Sequence, residues 1–331
     1  MTQIVYINIP WTLDEKDYNC SGRTQEEWSQ RGTVRETQAA CFLIFGLLLQ
    51  VIYILSMIAM VRGKLLRIPC YRLMFFNGFL DLVVLTTGAL IVAYFQYTGA
   101  VFCTDVRLNQ YSGQIAWSAY MGATFMCIAV GFNRLVEMIP SMRHLVFLFR
   151  GKMIYMWMVV CVLVMIIRPF FCRPALYNST FGTFLALPAI SDDLSWESKH
   201  YATWILTITN MSFLVLLVFP YVVVCHHVLR LSSSARANID KGQAILFSQA
   251  IVICSTNAVA AILYNIMKFV VLPRSVVIAS HIIWLLSHGI HGVVYLCINK
   301  HIREEVKGIF GYKTKVTMVS TSKIAFRFSG R

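Results

Sequence analysis

The sequence predicts an all-α membrane protein built as a bundle of seven membrane-spanning helices, with its N-terminus outside the cell. Of its 331 residues, 58% are hydrophobic and only 13% are charged, whereas about a quarter are charged in soluble domains. The mean hydropathy is +0.65, and the apolar residues form blocks close to the roughly 20 residues that cross a bilayer. A soluble helical protein would interrupt such blocks with charged residues on its outer face. The lipid bilayer is therefore expected to surround most of the chain.

Seven apolar blocks follow one another along the chain. They cover residues 39–61, 73–95, 113–132, 153–169, 202–225, 244–267 and 276–298. The fourth block is the shortest and spans a bilayer only if Arg168 lies at the membrane interface. Because the number of crossings is odd, the two ends of the chain are expected on opposite sides.

These blocks divide the chain into four predicted parts. Residues 1–38 form an extracellular segment, 39–298 the bundle, 299–310 a helix on the inner membrane surface, and 311–331 a basic cytoplasmic tail. The surface helix is predicted because apolar residues such as Ile302 and Val306 recur at helical spacing between basic residues.

The distribution of basic residues predicts the orientation of the bundle. Most of the 29 lysines and arginines fall in short flanks on one side, and cytoplasmic flanks are enriched in basic residues. This explains the net charge of +14 without nucleic acid, for which the chain offers no soluble basic domain. Two glycosylation patterns, at Asn19 and Asn178, lie on the predicted outer side and agree with this orientation.

Three of the ten cysteines lie in polar segments on the predicted outer side, where an oxidising environment permits a disulfide. A bond between Cys103 and Cys172 would fix the long loop, 172–201, over the mouth of the bundle. Cys20 would then be left over, and its pairing with either of the others is an alternative that the sequence leaves open. No CxxC spacing occurs, so neither a structural metal nor another cofactor is expected.

The predicted inner loops are too short to fold into a kinase, cyclase or ATPase domain, so the protein is expected to act inside by binding another protein. Asn133 and Arg134 end the third span on this side, and Arg143 and Arg236 lie in the next two inner loops. A permanently charged arginine can pair with neighbours and then with a bound partner. The alternative is an ordinary positively charged membrane anchor.

Asp81 is the only acid inside a predicted span, and an ionisable residue at membrane depth is functional by default. Asn77 lies one turn earlier on the same face, and the expected partners on other spans are Asn257, His288 and His291. The alternative is a neutral aspartic acid that only links helices. A metal between the two histidines is not expected, since neither an acid nor a cysteine stands beside them.

Polar and aromatic side chains in the outer halves of the third and the fifth to seventh spans predict a pocket for a small extracellular molecule. They are Trp117, Tyr120, Thr124, Trp204, Thr207, Asn210, Asn257, Tyr264, Asn265, His281 and Trp284. The alternative for each residue is bundle packing or the aromatic belt at the membrane interface.

The order and spacing of several short motifs resemble the nematode serpentine chemoreceptors of class T. The matching residues are Ile68-Pro69-Cys70-Tyr71-Arg72-Leu73-Met74, Gly78, Asp81, Gly99, Phe102-Cys103, Trp117, Asn133-Arg134, His288-Gly289, Tyr295-Leu296, Asn299 and Ile302-Arg303. The resemblance implies a plasma-membrane receptor of sensory cells that signals through a heterotrimeric G protein. By position it makes Asn133 and Arg134 G-protein-facing, and Tyr295 and Asn299 switch residues at the inner end of the seventh span.

Two departures from that pattern concern the activation movement. The sixth and seventh spans lack proline, with His291 where the family pattern leads us to expect one, and no acid precedes Arg134. A membrane transporter or channel is the alternative function, although internal repeats and several intramembrane charges are not seen. An enzyme is not expected, because Asp81 with His288 and His291 is too small a catalytic set.

Overall fold

The computed structural model of the protein describes residues 5–201, 203–233, 241–269 and 272–312, and these ranges are mostly helical. The helices are α1 (Gln25–Gln30), α2 (Glu36–Arg62), α3 (Pro69–Leu85), α4 (Val92–Thr98), α5 (Val106–Met138), α6 (Met153–Phe171), α7 (Leu194–His200), α8 (Trp204–Ser233), α9 (Lys241–Phe269), α10 (Arg274–Ile298) and α11 (Lys300–Ile309). A π-helical turn, Thr86–Ile91, joins α3 to α4. Strands β1 (Leu176–Asn178) and β2 (Thr183–Leu185) form an antiparallel hairpin.

Seven helices form the bundle, as the sequence predicts. Six described segments are long and apolar enough to cross a membrane: Glu36–Arg62, Pro69–Thr98, Val106–Met138, Met153–Phe171, Thr207–His227 and Arg274–Ile298. The second of these consists of α3, the π-helical turn and α4. The remaining helix is α9, whose described apolar part is Ile251–Met267. We call the side on which α2 begins the N-terminal face and the side on which it ends the C-terminal face.

Helix α5 lies at the centre of the bundle and packs against α3, α6 and α8, while α10 packs against α9, α2 and α3. Glycine allows α2 and α10 to approach closely. A Cβ atom on Gly292 would lie 2.7 Å from the Cα of Tyr53, and one on Gly289 would lie 2.6 Å from the side chain of Leu49. Small residues at such positions are what allow membrane helices to pack backbone against backbone.

A folded cap covers the N-terminal face, and its disulfide differs from the expected one. Cys20 is bonded to Cys103, with 5.6 Å between their Cα atoms, so the expected Cys103–Cys172 bond is wrong. The cause is packing of the N-terminal segment: the indole of buried Trp28 donates to the Cys20 carbonyl (2.9 Å) within a cluster that includes Phe102. Cys172 is a buried free thiol, and burial raises its pKa.

Ion pairs join the N-terminal segment to the loop after α6. Arg173 binds Asp17 at 2.6 Å, and Arg23 binds Asp192 at 2.8 Å. Partial burial disfavours the Asp17 carboxylate, but hydrogen bonds from His200 and Arg173 outweigh that effect and lower its pKa. These contacts fix the cap at neutral pH, where the Asp17 carboxylate is ionised.

The β1–β2 hairpin lies at the mouth of the bundle, where β1 contacts α4 and α5 and β2 contacts α10. The side chain of Asn109 on α5 donates to the carbonyl of Tyr177 (2.9 Å) and accepts from its N–H (2.6 Å), and the Tyr177 hydroxyl donates to Gln96 (2.7 Å). Asn178 is only 6% exposed, whereas Asn19 is exposed. Asn19 is therefore the more accessible of the two predicted glycan acceptors.

Helix α11 packs on the C-terminal face beside α2 and α10. The side chain of Asn299 caps it by accepting from the N–H groups of His301 (3.1 Å) and Ile302 (3.3 Å). Ile302 and Val306 are buried in a cluster with residues of α2, α3 and α10, so these two side chains contact protein. The tail beyond residue 312 lies outside the described residues.

Gly292→Ala tests the close approach of α2 and α10. The added methyl group would overlap the backbone of Tyr53, so we expect the free energy of unfolding to fall by about 1–3 kcal/mol. Thermal unfolding in lipid nanodiscs measures it. The control is Gly22→Ala, since no atom lies within 4 Å of the added group. Equal stability of both variants would contradict the described packing.

Candidate functional site

A buried carboxylate, Asp81, joins three helices near the middle of the bundle. It accepts from the Tyr53 hydroxyl on α2 (2.7 Å) and from the Asn77 amide on α3 (2.6 Å). Two ring nitrogens from α10, Nδ1 of His288 (2.7 Å) and Nδ1 of His291 (2.6 Å), complete the contacts. We call these five residues the Asp81 cluster. The sequence predicted four of them, and the structure brings those four together.

The contacts of Asp81 are those of an ionised carboxylate. Tyrosine hydroxyl, amide nitrogen and imidazole N–H can all donate, and an ionised carboxylate only accepts. Four donors on two oxygens stabilise a charge that would otherwise be very costly at membrane depth. Because these hydrogen bonds need one relative placement of α2, α3 and α10, the cluster links their positions. Among the described residues, Nε2 of His288 and Oδ1 of Asn77 have no hydrogen-bond partner, so the cluster retains unused polar groups.

Tyr53 is the member of the cluster that sequence reasoning missed. Its hydroxyl is the only polar group on a long, largely apolar side chain, and its neighbours in the sequence are uniformly apolar. Its position is fixed by Gly292 and by Gly78, where a Cβ would lie 2.9 Å from the Tyr53 ring. A tyrosine in the middle of an apolar span was the available signal, since a buried hydroxyl needs a partner.

Asn257 does not join the cluster. Its side-chain amide donates to the Ile253 carbonyl of its own helix (2.9 Å), and it is buried without a described bond to Asp81. The Nδ1 atoms of His288 and His291 both contact Asp81. In the described ranges, no group of three or more His, Cys, Asp or Glu side chains is arranged to hold a metal.

An aromatic group lies between the Asp81 cluster and the N-terminal face. The ring of Trp284 contacts those of Tyr120 (6.4 Å between centroids), Tyr264 (6.1 Å), His281 (5.5 Å) and His288 (5.6 Å). All but His288 were predicted to line a ligand pocket, so the structure brings these predicted residues together.

The π-helical turn holds His281 in this aromatic group. Nε2 of His281 donates to the Gly88 carbonyl (2.8 Å), which leaves Nδ1 to accept from the Tyr264 hydroxyl (3.2 Å). The hydroxyl of Tyr264 lies 3.5 Å from that of Thr183 in the hairpin. Glycine is required at position 88, because a Cβ there would lie 2.6 Å from the Trp284 ring.

The other predicted pocket residues are scattered. Thr124 and Asn265 bond to carbonyls of their own helices, at 2.9 and 2.8 Å. Thr207 and Asn210 are buried on α8, whereas Trp204 is 42% exposed and therefore does not line an interior pocket. Trp117 stacks on Arg168, with 5.0 Å from the guanidinium carbon to the ring centroid.

Two cavities occur in the described residues away from this aromatic group. One, of about 680 Å³, lies between the first turns of α2 and the first half of α10, beside Phe42 and Ile282. The other, of about 160 Å³, lies under the N-terminal segment and ends at Gln110 and Gln114 of α5. Neither is lined by the residues predicted for the ligand pocket.

Glu137 joins the two predicted residues at the end of α5 on the C-terminal face. It accepts from the Asn133 amide (3.2 Å) and from the Arg134 guanidinium (3.3 Å). The Arg134 side chain is 12% exposed, and Arg143 is exposed in the short 3-10 helix Pro140–Phe149. Arg236 lies outside the described residues.

The predicted switch residues at the end of α10 lie in one buried cluster. Tyr295 contacts the rings of Tyr53 (6.2 Å) and His291 (6.3 Å). Asn299 donates to the hydroxyl of Tyr71 on α3 (2.5 Å). Buried side chains thus connect the Asp81 cluster to the C-terminal face.

The fold and the buried polar site define a multi-pass membrane protein of the serpentine, seven-helix type. The family described as "Serpentine type 7TM GPCR chemoreceptor Srt" matches residues 3–318, and the chain belongs to this family. It is a family of receptors and not of enzymes. The chain is similar to "Serpentine receptor class T-55" of Caenorhabditis elegans, with 25% identity over 299 residues, which are 87% of this chain and 78% of that protein.

Tyr53→Phe tests the hydrogen bonds of Asp81. It removes one donor to a buried charge and keeps the ring, so we expect unfolding to become easier by about 1.5–3 kcal/mol. Thermal unfolding in nanodiscs provides the measurement. Tyr97→Phe, which removes a hydroxyl from a residue that is 60% exposed, should change stability little. A Tyr53 variant as stable as the wild type would show that this bond does not matter.

Proposed function

We propose that this protein is a chemosensory receptor with its N-terminal face outside the cell. A small molecule binds in the outer half of the bundle, and the C-terminal face activates a heterotrimeric G protein. The family supports a receptor role, and the proposal extends this to the orientation, the plasma membrane and the two binding faces.

Two independent features support the orientation. The disulfide between Cys20 and Cys103 lies on the N-terminal face, and disulfides persist in oxidising surroundings outside the cytosol. The short connections on the C-terminal face are rich in basic residues, among them Arg62, Lys64 and Arg67, as cytoplasmic flanks are.

The observation that carries the proposal is a continuous series of buried polar and aromatic contacts along one side of α10. It begins where Tyr264 meets the hairpin and His281, and passes through Trp284 and His288. From the Asp81 cluster it continues through Tyr295, and Asn299 on the same helix binds Tyr71 at the C-terminal face. His281 and Asn299 are 18 residues apart, so the series crosses roughly 27 Å of bilayer.

This series offers a physical route for ligand binding to change the inner face. A ligand that contacts Trp284 or its neighbours favours one arrangement of α10 over another, and the Asp81 cluster links α10 to α2 and α3. An outward tilt of α9 would open an inner cleft beside Arg134, which could then exchange Glu137 for carbonyl groups of the G protein. Since neither α9 nor α10 contains proline in its interior, these helices would move as units.

Arg134→Ala tests the proposed G-protein contact. We expect it to lower agonist-stimulated nucleotide exchange by at least about tenfold while the receptor still reaches the cell surface, because the substitution removes the charge proposed to bind the G protein. A small molecule found by calcium imaging against an odorant panel serves as agonist.

The matched control is Arg107→Ala, which removes an exposed arginine from the opposite end of the same helix. It should leave exchange unchanged. Normal exchange by the Arg134 variant, or an equal loss in both variants, would contradict the proposal.

A further inference from the structure

Arg168 is a buried cation that has no counter-charge among the described residues. It lies near the end of α6 on the N-terminal face and is only 4% exposed, although its block was expected to span only with this residue at the membrane interface. Its guanidinium is absent from the ion pairs found among the described residues. Asp81 is surrounded by four hydrogen-bond donors. Arg168, in contrast, contacts one neutral acceptor, the Gln114 amide oxygen, which lies 3.2 Å from Nη1. Its other contact is the aromatic ring of Trp117.

The guanidinium of Arg168 has contacts on one edge and on one face of its plane, and its second edge has no hydrogen-bond partner among the described residues. Gln114 fixes the Nη1 edge and Trp117 covers a face. Nε and Nη2, which have no partner in the part of the chain that the structure describes, share the remaining edge. Two parallel N–H groups on one edge form the fork that binds the two oxygens of a carboxylate.

Two polar groups on the stretch of α5 that contacts Arg168 also lack partners among the described residues, and both can donate. Nε2 of Gln114 and Oγ of Ser118 are buried without a hydrogen bond. Gln114, Trp117 and Ser118 follow at spacings of three and four residues on α5, so they lie on one face of that helix. A buried site with several free donors, one full positive charge and a single bound acceptor is complementary to an anion.

We propose that Arg168, with Gln114 and Ser118, binds the carboxylate group of a small organic ligand. This rests on the proposed receptor function and names the chemical class of its ligand. Gln114 connects this site to the cavity under the N-terminal segment, because its side chain lines that cavity and also bonds Arg168. The cavity measures about 160 Å³, well below the roughly 300–1,000 Å³ of pockets for drug-sized ligands. Its size favours a short carboxylic acid. Asp14 at its rim is exposed, and water and salt screen its charge.

The experiment measures thermal unfolding of the full-length protein in nanodiscs of phosphatidylcholine, without any G protein. The probes are the carboxylates from acetate to hexanoate, each compared with its uncharged primary amide. We expect one or more carboxylates to raise the unfolding temperature by roughly 5 °C at a concentration about a hundred times its Kd. The matched amides should give no rise.

Two variants assign the effect to Arg168. Arg168→Gln should abolish the shift. Arg274→Gln should retain it, because Nε and Nη2 of Arg274 already donate to the Thr180 carbonyl (2.9 Å) and to Gln38 (2.8 Å). A shift that survives in Arg168→Gln would overturn the proposal.

Gln114→Glu keeps the test decisive even if Arg168→Gln does not fold. It places a carboxylate of the protein itself beside the guanidinium. We expect a higher unfolding temperature without ligand and no further response to carboxylates. A lower unfolding temperature would show that Arg168 does not lack a counter-charge. An undiminished response to carboxylates would show that they bind elsewhere, and either result would contradict the proposal.

Phosphate groups of lipids are the other source of the same chemistry. Phosphatidylglycerol in the nanodisc could raise the unfolding temperature of the wild type but not of Arg168→Gln. If it does, and no carboxylate raises that temperature in phosphatidylcholine, the site binds lipid and the proposal is wrong. No G protein is present in this experiment. A failure of carboxylate binding would therefore not contradict the proposed G-protein contact of Arg134, and a failure of that contact would not contradict carboxylate binding.

Discussion

The structure depends on the burial of one negative charge. A carboxylate at membrane depth is stable only when several donors surround it, and the donors of Asp81 come from α2, its own helix α3, and α10. The three helices must therefore keep one relative placement. Glycines at 78 and 292 permit that placement, because larger residues would displace Tyr53. Close helix packing and the polar contacts thus depend on each other, and any movement of α10 changes both.

Two buried charges have opposite surroundings in this bundle. Asp81 is saturated with donors and lies where three helices meet, as expected for a group that sets helix positions. Arg168 lies near the N-terminal face with one edge unused. An unsatisfied charge is costly to the isolated protein and becomes favourable when an anion binds. The first arrangement suits transmission of a conformational change, and the second suits recognition of a ligand.

Sequence reasoning was most successful where a single physical term dominates. Apolar blocks of membrane-spanning length predicted the seven helices, and the cost of a charge in lipid identified Asp81 and its partners on α3 and α10. It failed where the outcome depends on tertiary packing. The choice of Cys20 over Cys172 follows from how the N-terminal segment packs around Trp28. Arg168 looked like an interface residue, and only the position of Gln114 and Trp117 on α5 shows that it faces protein.

The most direct test of the central claim is a double-mutant cycle on the Asp81 cluster, using Asp81→Asn, His288→Leu and the double variant, with thermal unfolding in nanodiscs as the readout. If the carboxylate and the imidazole stabilise each other, the double variant should lose at least about 1 kcal/mol less than the sum of the single losses. Losses that add to within about 0.5 kcal/mol would mean that the two groups do not interact, and would contradict the account.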